Sequence, residues 1–222
     1  MEFVDFQECD EDLVIENQFV IGCADFLHEN YQIDHEASYA IARCLFSRMS
    51  DTRLHYHTPI HVLCMLDFAQ IHNIPLSAPE ILAIWFHDAI YEPNAQSGQN
   101  EEQSKLFMES LMAVAGPDYQ DHILDAGAMI RATAKHLETG LNPNWETVLD
   151  LDLSGFSYGL KQSKVVTKAI RDEYPQYTDA EFNVGRKQFL KQLIAKGFVY
   201  RTPLFKEKFE NIALANIQEE LK

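Results

Sequence analysis

Long hydrophobic runs are missing from this chain of 222 residues, and so is any excess of basic charge. No apolar stretch approaches the roughly 20 residues that cross a bilayer, so no membrane partner is expected. Acidic residues outnumber basic ones by 34 to 18, for a formal net charge of -16. Gripping a nucleic-acid backbone takes clustered Lys and Arg, which this sequence lacks, so no nucleic-acid partner is expected either. Acidity leaves small phosphate esters open, because a bound divalent cation inverts the local potential. Cysteine is scarce: Cys9, Cys23, Cys44 and Cys64 lie far apart in apolar surroundings. That spacing argues against a disulfide framework or a CxxC metal clip and points to buried free thiols. The segment Met1-Glu2-Phe3-Val4-Asp5 is acidic and lacks the basic and apolar regions of a signal peptide, so a cytoplasmic location is expected. Low-complexity tracts and internal repeats are also absent. A chain of this length can bury one sizeable core, and residues 1–222 are expected to form a single domain.

What is present is helical periodicity. Residues 12–29, 36–49, 59–71, 78–90, 100–115 and 121–136 carry apolar positions at three-to-four spacing, as do 144–153, 158–174, 180–195 and 203–221. No run alternates as a strand does. Thr58 before Pro59 reads as an N-cap with proline at N1, and Ser77 with Glu80 and Thr178 with Glu181 read as capping boxes. Gly116-Pro117 breaks one helix, and Gly197 stops another. The expected fold is all-α, a globular orthogonal bundle.

Three segments carry chemistry: His57-Thr58-Pro59-Ile60-His61, His87-Asp88, and Asp150-Leu151-Asp152-Leu153-Ser154. His87-Asp88 closes the run Ile81-Leu82-Ala83-Ile84-Trp85-Phe86, apolar all round and therefore buried on every side. A carboxylate there needs an ion pair, hydrogen bonds or a metal, and the adjacent imidazole supplies a second ligand. Asp150 and Asp152, two residues apart, face different sides of a helix, so only one of them is expected to face such a site.

A His in the first turn of a helix, a His-Asp pair closing a buried one and a distant Asp resemble the HD superfamily of metal-dependent phosphohydrolases. Tyr56-His57-Thr58-Pro59-Ile60-His61 also resembles the Tyr-His-Asn-x-x-His signature of cyclic-nucleotide phosphodiesterases, and Leu151-Asp152-Leu153-Ser154 is similar to their Ala-Asp-Leu-Ser segment. Arg53-x-x-Tyr56-His57-Thr58, Trp85-Phe86-His87-Asp88-Ala89-Ile90-Tyr91, Asn100-Glu101-Glu102-x-Ser104 and Ile170-Arg171-x-Glu173-Tyr174 resemble a group of predicted bacterial HD hydrolases, over about Arg53 to Leu221. Each motif is short; their order and spacing carry the likeness.

The resemblance implies an HD-type bundle with its metal-site core over about residues 53–174 and His61, His87, Asp88 and Asp152 as ligands of one ion. Asp152 is preferred on the Asp-Leu-Ser match, with Asp150 kept as the rival ligand or as a partner behind it. His61 rather than His57 is the ligand, because Met65, Leu66 and Ala69 follow it at the superfamily's spacing. His57 then resembles the phosphodiesterase histidine that protonates the leaving oxygen. Mixed imidazole and carboxylate donors suit Zn, Mn, Fe, Co or Ni, with Mg also possible, and do not choose among them. The implied activity is hydrolysis of a small, nucleotide-like phosphomonoester or phosphodiester by a metal-activated water. Two rivals stand beside it: a dinuclear-iron oxygenase, whose second metal would need His136 or Glu101, and a non-catalytic metal or ligand sensor. Arg53, Arg171 and Arg186 can orient a phosphate or pair with surface acids. Asn100 and Glu101 can overhang the metal or act as N-cap and first-turn acid, and His136 can contact substrate or simply sit in a helix's last turn. His28, His35, His55, His72 and His122 receive no role, and oligomeric state stays open.

Overall fold

Local hydrogen bonding sets where each helix starts and stops. In the computed structural model, which describes residues 10–222, α1 spans Asp10–Tyr31 and α2 His35–Met49, the latter opened by Asp34 accepting the Ala37 N–H at 3.0 Å. Pro59 at N1 starts α3 (Pro59–Ile71), although Thr58 makes no side-chain cap. The Glu80 carboxylate accepts the Ser77 N–H at 2.8 Å and starts α4 (Ala78–Phe86). Gly98, at φ 79°, turns the chain into α5 (Gln99–Met112), a left-handed backbone that a residue with a Cβ adopts only under strain. The remaining helices are α6 (Gln120–Thr133), α7 (Glu146–Asp152), α8 (Leu160–Asp172), α9 (Asp179–Ala195), α10 (Pro203–Lys208) and α11 (Glu210–Glu220). The Thr178–Glu181 box opens α9, and Gly197 at φ 94° follows its end.

Among the described residues there is no strand, so the all-α expectation holds. No helix there is long and apolar enough to cross a membrane. The Met1–Asp5 and Cys9 readings lie outside the described residues. Cys23 is buried as expected, but Cys44 is exposed and Cys64 half-buried, because each sits toward the outer side of its helix.

Several expected boundaries move, and at three of them a side chain bonded to nearby backbone supplies the cause. α4 stops at Phe86 instead of Ile90: His87 Nδ1 takes the Ile84 carbonyl at 3.0 Å, which would otherwise accept from Asp88. α6 stops at Thr133 instead of His136, with Thr133 Oγ1 donating to the Ile130 carbonyl at 2.8 Å and Arg201 donating to the Lys135, His136 and Glu138 carbonyls. The expected helix 203–221 divides at Phe209, because Glu210 is clamped to the Val199 and Tyr200 N–H groups.

One contiguous core runs from Phe19 to Ile217. α4 lies deep within it, with Leu82 through Phe86 all buried, and packs against α6, while α1 packs on α2 and α5 on α6. The helix end that leaves this core carries its next side chains to the core's polar edge, which is how Asp88 comes to line a cavity with His87 buried behind it.

Candidate metal centre

His61, at the third position of α3, and His87, just past α4, are both buried, and Asp88 is 9 % exposed. One donor atom from each of the three lies within 4.8 Å of the others. His87 Nε2 is 2.9 Å from Asp88 Oδ2, and His61 Nε2 is 3.9 Å from the same oxygen. Asp152, the last residue of α7, brings Oδ1 to 3.1 Å from His61 Nε2 and 3.7 Å from His87 Nε2. Sequence positions 61, 87 and 88 thus meet at one point, and 152 lies beside the two imidazoles, supplied by α3, the end of α4 and α7.

The donors suit a cation. His87 Nδ1 donates to the Ile84 carbonyl, which fixes the proton on that nitrogen and leaves Nε2 as the lone pair facing Asp88 and Asp152. Despite the 2.9 Å distance to Asp88, Nε2 is buried without a hydrogen bond. An orphaned imidazole nitrogen beside two carboxylates is the arrangement a divalent ion would complete, so this group could hold a metal ion. The electrostatics agree. Burial opposes the imidazolium of His87, but Asp88 and Asp152 outweigh it and push its pKa up to about 9. Burial likewise opposes ionisation of Asp88 and Asp152, yet the surrounding histidines hold both carboxyls below the usual carboxylate range.

Asp150 points the other way. It is 1 % exposed, and its two oxygens accept the Arg201 N–H at 2.7 Å and the Thr202 N–H at 2.8 Å, tying α7 to the start of α10. Burial pushes its pKa up to about 6 in spite of those bonds. Asp150→Asn should therefore retain metal while lowering stability by about 1–3 kcal/mol, the range for unsettling a buried acceptor. Metal analysis and a thermal melt on one sample check it; metal loss with an unchanged melt would reverse the assignment.

Beside the donors opens a cavity of ≈ 320 Å³, with Tyr56, His57, Asp88, Tyr91, Glu101, His136 and Asp152 on its polar side. His57 stacks on Tyr91, their ring centroids 3.5 Å apart at 13°. Its Nδ1 meets Glu173 Oε2 at 2.6 Å, while Glu173 Oε1 accepts the backbone N–H groups of His55, Tyr56 and His57 at 2.7 to 2.9 Å. Burial lowers the His57 pKa, but Asp88 and Glu173 overcome it and the net shift is upward. Glu173, 1 % exposed, is the residue that sequence reasoning missed. It stood inside the quoted Ile170–Tyr174 motif, but its partner lies 116 positions upstream and no local pattern announces that bond.

No family model matches this chain, and no curated protein does.

The other expected site residues divide into two groups. Glu101 lines the cavity, with burial, Asp88 and Asp152 raising its pKa. His136 lies past the end of α6 rather than in its last turn, and its Nε2 meets Asp152 Oδ2 at 2.8 Å. Arg186 also faces the cavity, its Nε 2.8 Å from Glu220 Oε1. Arg53, Asn100 and Arg171 do not line it. Arg53 is an exposed partner of Asp51 and Glu92. Asn100 follows the Gly98 cap and clamps both backbone groups of Glu92. Arg171 bonds Asp179 and the Tyr174 and Tyr177 carbonyls, shaping the turn between α8 and α9. The surface acids and loop carbonyls of so acidic a chain claim these three side chains.

Proposed function

We propose that this chain is a metal-dependent phosphohydrolase of the HD type, cleaving a small phosphate ester, with His61, His87, Asp88 and Asp152 holding one divalent transition-metal ion. One observation carries the reading: His61, His87 and Asp88 converge, with Asp152 beside the two imidazoles, at the edge of a cavity that Asp88, Asp152 and a carboxylate-held histidine line. The order of those residues along an all-helical chain is the order the HD superfamily uses. A divalent cation bound there would acidify a water and polarise a phosphoryl oxygen. The chain's own residues supply the rest. Glu101, its carboxyl pKa raised, takes a proton from the attacking water as the new O–P bond forms. His57, protonated and held through Nδ1 by Glu173, delivers its Nε2 proton to the ester oxygen as the P–O bond breaks. His136 orients Asp152 through its hydrogen bond.

The test is phosphate release from a panel of phosphomonoesters and phosphodiesters, nucleotides included, by protein purified without added metal, alongside metal analysis. Chelator-sensitive release with about one ion per chain is expected. Bound metal with no ester turned over would favour a sensor; two irons per chain with oxygen uptake would favour the oxygenase.

A further inference from the structure

The cavity has a second end that the hydrolytic chemistry does not use. Tyr56 links the two: its ring packs on His61 at 4.6 Å between centroids, and a Cβ built on Gly155 would meet Tyr56 Oη at 3.6 Å and Val166 Cγ1 at 3.7 Å. Beyond Gly155 the walls are Phe156, Val166, Ile170 and Phe189, from the turn after α7 and from α8 and α9. The Arg186 guanidinium lies over both rings, 5.4 Å from the Phe156 centroid and 5.9 Å from that of Phe189.

Two of the polar side chains at this end, Arg186 and Thr167, are already paired. Glu220 accepts from Arg186 Nε and NH2, at 2.8 and 3.4 Å, and neutralises its charge. Thr167 Oγ1 donates to Ser163 O and to Glu220 Oε2, at 3.1 and 3.2 Å. A sugar or polyol would lose hydration here and, among the described residues, find only the Ser163 and Tyr56 hydroxyls unpaired, which disfavours it. A second phosphate would face an arginine whose charge is cancelled. A flat apolar group meets two aromatic rings, two aliphatic side chains and a guanidinium plane, all favourable to it. At ≈ 320 Å³ the cavity also lies at the low end of the roughly 300–1,000 Å³ of ligand sites, so one phosphate and one ring system fill it.

We infer that the site selects phosphomonoesters whose alcohol part carries a flat, uncharged aromatic group, with Phe156, Val166 and Phe189 gripping that group and Arg186, fixed by Glu220, closing over it. The inference rests on the phosphohydrolase reading and names its substrate class.

The test is calorimetric binding of two non-hydrolysable probes, 2-phenylethylphosphonate and ethylphosphonate, to the full chain with metal bound. Their head groups match, so a difference in affinity reports the ring. The phenyl probe should bind at least about 10-fold more tightly, the low end of discrimination by an apolar pocket. Phe189→Ala should cut that ratio to about threefold or less, with metal content retained. Val166→Ser, on a helix with no buried residue, should do the same without threatening the fold. Equal affinities, binding of neither probe, or a ratio unmoved by both substitutions would overturn the inference. Should the ratio hold while the corresponding phosphate esters release no phosphate, the hydrolytic reading fails and the aromatic selectivity stands.

Discussion

His61→Ala and Asp88→Ala should each strip the protein of its metal and abolish turnover, leaving a folded chain behind. Loss of a partner behind a ligand already weakens metal binding by about 10–100-fold, so loss of a ligand should exceed that. The fold should survive because each change removes a buried polar group and not core volume; Met65 and Phe86 hold the surrounding core. Heat resistance should report the same event. An ion at 1,000 times its Kd contributes about 4 kcal/mol, and about 2–4 °C per kcal/mol then gives the parent protein a rise of roughly 10 °C on loading. Both variants should melt at one temperature with or without metal. The sign of the pH dependence follows from His87, whose pKa of about 9 in the ion-free site means that protons compete with the cation. Metal affinity should therefore rise with pH in the parent. Inductively coupled plasma analysis, melting curves and titrations at several pH values measure all of this; full metal stoichiometry in both variants would sink the proposed ligand set.

Much of the fold was legible because helical periodicity and capping are local. Pro59, the Ser77–Glu80 and Thr178–Glu181 pairs and Gly197 mark helix ends within a few residues of the positions they fix. The boundaries that escaped depend on distant residues: Arg201 reaches carbonyls 63 to 66 positions away, and Glu210 holds the backbone of a loop 10 and 11 positions upstream. The candidate site divides the same way. His87 and Asp88 stood out as polar residues closing an all-apolar helix, and His61 and Asp152 on their resemblance to HD-superfamily motifs. Arg53, Asn100 and Arg171 stood inside motifs that carry the resemblance, but the loops and surface acids around them supply nearer partners than the cavity does. Helix geometry separated Asp150 from Asp152 but only the Asp-Leu-Ser match preferred Asp152, because the group that claims Asp150 is the distant Arg201–Thr202 backbone.

His57→Gln should keep the metal yet slow hydrolysis of esters with poor leaving groups by roughly 100-fold or more, the scale of a lost general acid. An activated aryl phosphate needs little protonation at its departing oxygen and should lose far less. Equal losses on the two substrate types, or loss of metal, would mean that His57 positions substrate or binds the ion instead. Glu173→Gln separates the proton from the ring's placement. Its amide oxygen can still accept the His55, Tyr56 and His57 N–H groups, but the negative charge beside Nδ1 is gone. Once a cation neutralises Asp88 and Asp152, Glu173 is the carboxylate left to hold the His57 pKa up. An acid catalyst works in its protonated form, so kcat should fall as pH rises through the His57 pKa. In Glu173→Gln that fall should come at lower pH, with kcat approaching the parent's on the acid side. A uniform drop at every pH, with no displacement of the alkaline limb, would make Glu173 a purely structural clamp on the 55–57 backbone.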